Sequence, residues 1–174
     1  MINISQIEDT LRTWVITVVD AMEEVIFAFP NAARPNLPYV SINIAQITQT
    51  GLDESISSLN VVDDSVDIAH STMNELFVSI NVFSATALMH ATQLRDSLSM
   101  VTVYEQLYAG GLGFRNAGTI NKIPEEINKG FENRAQFDCF FYVRSLDSEN
   151  IEVIKKIEIT DKLNNTTKTI EQGA

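Results

Sequence analysis

Near the start of the chain, apolar residues recur at helical spacing. Ile7, Leu11, Trp14, Val15, Val18 and Met22 form one stripe, with Thr10, Arg12, Thr13, Thr17 and Asp20 on much of the other side. Ser5 and Glu8 have the spacing of a capping box, which predicts the helix start. A helix with one apolar stripe is expected to lie on a sheet. The apolar run 25–29, closed by Pro30, predicts a short buried or edge strand. Pro30, Pro35 and Pro38 then enforce an extended loop, because each fixes its own φ and restricts the residue before it. Strand alternation follows over 39–50, with Val40, Ile42 and Ile44 on one face and Ser41, Asn43 and Ala45 on the other. A hairpin is expected about Asp63-Asp64, between 59–62 and 65–70. Residues 75–84 give a clearer strand: Leu76, Val78, Ile80 and Val82 face one way, Phe77, Ser79, Asn81 and Phe83 the other.

The period then returns to helical over 86–108, with Leu88, Ala91, Leu94, Leu98, Val101 and Leu107 as the core stripe. Gly110-Gly111 is expected to stop this helix, since glycine readily takes the left-handed conformation of a helix end. A short strand is expected over 114–120, and Pro124 with Glu125-Glu126 reads as a loop or a single helical turn. Phe137, Cys139, Phe141 and Val143 alternate with polar or aromatic neighbours. After a polar turn at 147–150, Ile151, Val153, Ile157 and Ile159 continue the pattern as a hairpin. Phe140, Tyr142 and Ile154 make the second face apolar as well, which suits a strand central in its sheet or paired with another subunit. Beyond Thr160 the chain turns polar and rich in Asn and Thr. The expected organisation is one α+β structural domain over 1–160 and a flexible polar tail over 161–174. Its mixed, mainly antiparallel sheet should carry two long helices on one face.

Composition narrows the function. With 45% hydrophobic and 20% charged residues among 174, the chain is globular. At this size about 70% of the unfolded surface can be buried, so no disulfide or metal staple is needed. The formal net charge is −11, with no basic run beyond Lys155-Lys156. That balance argues against binding duplex DNA through its phosphates. It suits solubility, or a surface that repels nucleic acid or meets a basic partner. Cys139 is the single cysteine, which rules out an internal disulfide. The N-terminus lacks the pattern of a signal peptide, and no apolar run is long enough to span a bilayer. A cytoplasmic origin and no membrane association are expected.

Candidate chemistry is sparse. His70 and His90 stand outside any metal or nucleophile motif and read as surface or helix-face residues. Gly110-Gly111-Leu112-Gly113 follows a helix, whereas phosphate-binding loops connect a strand to a following helix. The pairs Glu23-Glu24, Asp63-Asp64 and Glu125-Glu126 read as solvated charges. Asp63, Asp64 and Asp67 lack the glycine and terminal glutamate of an EF-hand loop. No catalytic, cofactor-binding or metal residues are expected, and no cofactor. Arg34, Arg115 and Arg134, all in or beside loops, are the candidate subunit or partner contacts, because guanidinium suits planar two-pronged contacts between protein surfaces. An intramolecular salt bridge is the competing role for each.

The order of these elements resembles the tail-terminator or neck proteins of tailed bacteriophages. The similarity lies in a helix ending near Tyr108, then Phe114-Arg115-Asn116-Ala117-Gly118, Ile123-Pro124, and Phe131-Glu132-Asn133-Arg134-Ala135-Gln136-Phe137-Asp138 opening a long hairpin. Arg34-Pro35 and Pro38-Tyr39 agree with it in the first half, and Arg134-Ala135 is the closest local match. The resemblance, over about residues 5–160, implies a non-enzymatic virion protein assembled in the host cytoplasm. It implies a homo-oligomeric ring, commonly a hexamer, that caps the tail tube, stops its polymerisation and meets the neck connector, and also the sheath where one exists. Genomic DNA would pass through the lumen without specific binding. Other ring-forming tail-completion, head–tail joining or baseplate proteins share the layout, and a non-viral protein-binding module is the alternative of a different class.

Overall fold

The computed structural model describes residues 1–22, 24–28, 34–51, 54–56, 61–62, 65–127, 130–152 and 156–171. Helix α1 (Ile4–Val18) starts two residues earlier than the Ser5/Glu8 spacing predicts. Asn3 is its N-cap, and the Asn3 side-chain oxygen accepts from the Gln6 N–H at 3.2 Å. Asn3 thus supplies the single N-cap bond in place of the expected box, while the Gln6 side chain donates instead to the Gly110 carbonyl at 3.4 Å. Ile7, Leu11, Trp14 and Val15 are buried as the stripe predicts.

Strand β1 (Glu24–Phe27) pairs parallel with β2 (Tyr39–Gln49), with Glu24 opposite Tyr39. The β3 (Glu54–Ile56) and β4 (Val61–Val62) segments both pair with β5 (Ser65–Phe83), a 19-residue strand that also runs antiparallel to β2. Val61 opposite Val66 and Val62 opposite Ser65 give the hairpin expected there. Its turn residues, Asp63-Asp64, lie outside the described residues.

The helix expected over 86–108 is two helices, α2 (Ala87–Ser97) and α3 (Val101–Ala109). The break at 98–100 resets the phase, so Val103 joins the expected Leu107 in the core while Val101 is 70% exposed. Within α2 the buried side runs through Ala87, His90, Ala91 and Leu94, which leaves Leu88 48% exposed, against the expected stripe. Gly111, at φ +85°, ends α3 in the predicted left-handed conformation.

The β6 strand (Leu112–Ala117) stands near the expected 114–120, and β7 (Asn121–Lys122) follows. Residues around Glu125-Glu126 form neither loop nor helical turn: β8 (Glu125–Ile127) pairs with β9 (Gly130–Glu132) as a hairpin. No turn forms at 147–150, because β10 (Arg134–Glu152) continues straight through it. Side-chain pairs with β5 hold that polar stretch extended, Asn150 donating to Asp67 at 2.6 Å and Glu149 meeting His70 at 2.9 Å. The hairpin instead joins β11 (Lys156–Asp161) to β12 (Thr166–Glu171), so the polar segment after Thr160 carries a strand.

The main sheet has the order β1-β2-β5-β10-β6, mostly antiparallel. β10 therefore lies between β5 and β6, which settles its two apolar faces in favour of the central position. Two compact units are present, one of Met1–Leu52 with Thr72–Ser145 and one of Asp53–Ser71 with Leu146–Ala174. In the first unit, α1 packs on α2, α3 and β1, and α3 packs on β6. One sheet face, built from Val40, Ile42, Leu76, Ile80, Phe137 and Phe141 among others, is fully buried in one cluster with the helices. The α+β class follows, with helices on one face only.

Candidate partner-contact surface

The sheet face away from that core carries a ladder of aromatic and polar side chains. Alternation places Tyr39, Asn81 and Phe83 there, with Arg134, Gln136 and Phe140 beside them on β10. The contacts Asn81–Arg134, Ser79–Gln136 and Phe77–Phe140 run in opposite senses along β5 and β10. Tyr39 and Phe83 are register partners and stack at 4.6 Å with 12° between ring planes.

Two of the three candidate arginines meet at this aromatic pair. The Arg34 guanidinium lies 5.0 Å from the Phe83 ring centre and 5.6 Å from that of Tyr39, while its Nε donates to the Tyr39 hydroxyl at 2.5 Å. Arg34 also forms an ion pair with Glu132 of β9. Arg134 lies 5.6 Å over Phe83 and donates through Nε and Nη2 to Asn81 Oδ1 at 3.0 and 2.7 Å. Cation–π contact and the fixed fork of donors orient both groups on the sheet. Arg115 does not join them. It pairs with Glu75 and lies 5.8 Å over the Tyr142 ring. Two of the three thus have the intramolecular ion pair that sequence reasoning left open.

Beside Arg34 is an open depression of about 440 Å³, bordered by Leu37, Ala85, Phe131 and Asn133. Asn133 donates to the Ala85 carbonyl at 3.2 Å, tying the strand entry to the turn before α2. Phe131 is 80% exposed and Leu37 51%. An aromatic ring this exposed on a two-stranded hairpin gains little in the isolated chain, and contact surfaces commonly carry such side chains with Arg. Asn81 and Glu132 were not predicted as site residues; Asn81 sits at the polar face of its strand, but its arginine partner is 53 residues away.

Cys139 and His90 are buried among their neighbours. Cys139 is fully buried, and burial, reinforced by the Asp138 carboxylate, raises its thiol pKa, so it offers no thiolate. His90 is on a helix face as expected, but buried. Its Nδ1 is 3.0 Å from Ser84 Oγ and its Nε2 3.3 Å from Thr86 Oγ1, which ties α2 to the turn before it. Burial lowers its pKa from 6.5. Above 6.5 the ring is neutral folded and unfolded alike; as pH falls below 6.5 the unfolded chain takes up the proton first, so stability declines toward and through the lowered folded value. We expect the melting temperature to fall between pH 7.5 and pH 5.5 at constant salt, and His90→Gln to flatten that fall. An unchanged slope in the variant would assign the fall to other groups.

Among the described residues, no three His, Cys, Asp or Glu side chains are grouped to hold a metal ion. No helix among them is long and apolar enough to cross a membrane. The sequence profile of a family described as phage neck terminator protein matches residues 5–166. No curated protein matches the chain.

Proposed function

The chain belongs to the phage neck terminator family, whose members are structural proteins of the phage tail and neck rather than enzymes, and from that premise we propose that it forms a ring closing the finished tail. In this reading the ring caps the tail tube, stops its polymerisation and presents a surface to the neck connector, with any sheath beside it. The ring is a homo-oligomer, most simply a hexamer, assembled in the host cytoplasm. DNA passes through its lumen without specific binding, which a net charge of −11 favours where acidic side chains line the channel.

The observation that carries this is the family match across 5–166 of a 174-residue chain, nearly its full length. The structure supports it physically through the sheet face left without helices and the arginines oriented on it. Arg34, Arg115 and Arg134 are the proposed partner contacts, the first two extending pairs they already make within the chain.

The test is the mass and shape of purified protein, by light scattering and negative-stain imaging at several concentrations, with and without tail tubes. The expected result is a closed ring, either free or formed only on tubes, with a channel of roughly 20 Å or more, enough for duplex DNA. A monomer at every concentration that also ignores tail tubes would overturn the proposal.

A further inference from the structure

We propose that adjacent copies join by setting Arg134 of one copy against Glu105 of the next, so that the sheet face opposite the helices meets the exposed face of α3. This rests on the ring reading above and names its contact. The argument begins with charge. Arg34 and Arg115 are each paired with a carboxylate of their own chain, whereas Arg134, among the described residues, has only the neutral Asn81 oxygen and the Phe83 ring. A half-buried guanidinium, held rigidly by an amide and an aromatic ring in a chain of net charge −11, is prepared for a carboxylate from outside.

Helix α3 supplies the complement. At about 100° per residue, Val101, Tyr104, Glu105 and Tyr108 share one side of α3, away from the side that buries Val103 and Leu107. All four are exposed, Tyr108 to 69% and Val101 to 70%. Tyr104 and Tyr108 stack at 6.3 Å with 12° between their planes, forming a flat aromatic platform. Glu105 stands beside it and has no hydrogen bond or ion pair among the described residues. Leu37 and Phe131, exposed beside Arg34, which shares the Phe83 ring with Arg134, give the other surface its apolar part.

The sheet face thus carries Arg134 without a carboxylate partner and the α3 face carries Glu105 without a cation, among the described residues, each beside exposed apolar groups, and the two charges are opposite. Copies of net charge −11 repel, so a cation placed against a carboxylate at the contact both selects the register and offsets local repulsion. The two surfaces lie on opposite layers of the same unit, since Arg134 is on the face away from the helices. A contact between them is heterologous, the kind that closes into a ring when the rotation from copy to copy closes and otherwise runs on as a filament.

Four samples test this by sedimentation over a concentration series and on tail tubes: Arg134→Glu, Glu105→Arg, the double variant, and an equimolar mixture of the singles. Melting curves confirm that each is folded; Arg134→Gln replaces Arg134→Glu if the latter is not. Each single is expected to weaken association by at least about tenfold, as loss of a close interfacial charge pair does. The double variant should recover most of it. The mixture should recover too, because alternating copies around an even-numbered ring meet opposite charges at every contact. If the folded singles assemble like wild type, or if neither the swap nor the mixture recovers, this contact is wrong while the ring stands. If wild type itself assembles in no condition, the ring reading fails and takes this contact with it.

Discussion

Replacing Trp14 by alanine is expected to cost about 3–5 kcal/mol, the range for deleting a large buried aromatic side chain. Against a total stability on the order of 5–15 kcal/mol for a domain, that is a large share, and toward the low end of the range it is enough to leave much of the protein unfolded. Trp14 is fully buried where α1 meets α2, and its indole Nε1 donates to the Ser97 hydroxyl at 3.0 Å. The same hydroxyl donates to the Leu94 carbonyl at 2.7 Å, so one buried oxygen is satisfied as both acceptor and donor. Ser97→Ala removes only the hydroxyl oxygen but strands the indole N–H, and should cost about 1–3 kcal/mol. In a Trp14→Phe background, where no N–H remains to strand, the same Ser97→Ala change should cost clearly less. Urea unfolding of the two singles and the double gives the coupling directly. A Ser97→Ala loss within about 0.5 kcal/mol, the scale of neutral surface changes, would show that the hydrogen bond contributes little.

Gly110→Ala is expected to destabilise by about 1–3 kcal/mol, the usual cost of forcing an extra carbon into a packed contact. The cause is not conformational, since Gly110 has φ −81°. A Cβ there would lie 2.3 Å from Thr10 Oγ1 and 2.8 Å from Thr10 Cβ, where α3 ends against α1. Thr10 has little room to yield, because its hydroxyl donates to the Gln6 carbonyl at 2.7 Å. Gly111 differs in kind. A Cβ on it would meet open space, but its φ of +85° costs any other residue about 1–2 kcal/mol. Placing Gly110→Ala in a Thr10→Gly background should therefore relieve most of its cost, whereas Gly111→Ala should cost the same in either background. Equal costs for Gly110→Ala in both backgrounds would rule out the contact with Thr10.

These cases mark where the sequence was readable. Ile7, Leu11, Trp14 and Val15, the run Leu76 to Val82, and Phe137 to Val143 all read correctly, because hydrophobic period follows from local geometry and burial. Gly111 read correctly because a helix end is a local backbone event. The readings that failed had two causes, a local break in the helix and partners distant in the chain. The break after Ser97 moved Val101 from core to surface, since the turn at 98–100 sets a new phase for α3. The polar run 147–150 carries good turn residues, yet pairing with His70 and Asp67 keeps it a strand.

The same division holds for the candidate surface. Composition and pattern determined an acidic α+β chain, marked Arg34, Arg115 and Arg134 as the side chains to watch, and put Phe83 and Asn81 on one strand face. Only the tertiary structure decided that Arg34 and Arg134 share the Phe83 ring while Arg115 sits apart with Glu75. Only it decided which of the three guanidiniums lacks a carboxylate partner among the described residues. Strand alternation is fixed residue by residue along the backbone, whereas charge pairing depends on which strands lie side by side, and that is set by burial across the whole sheet.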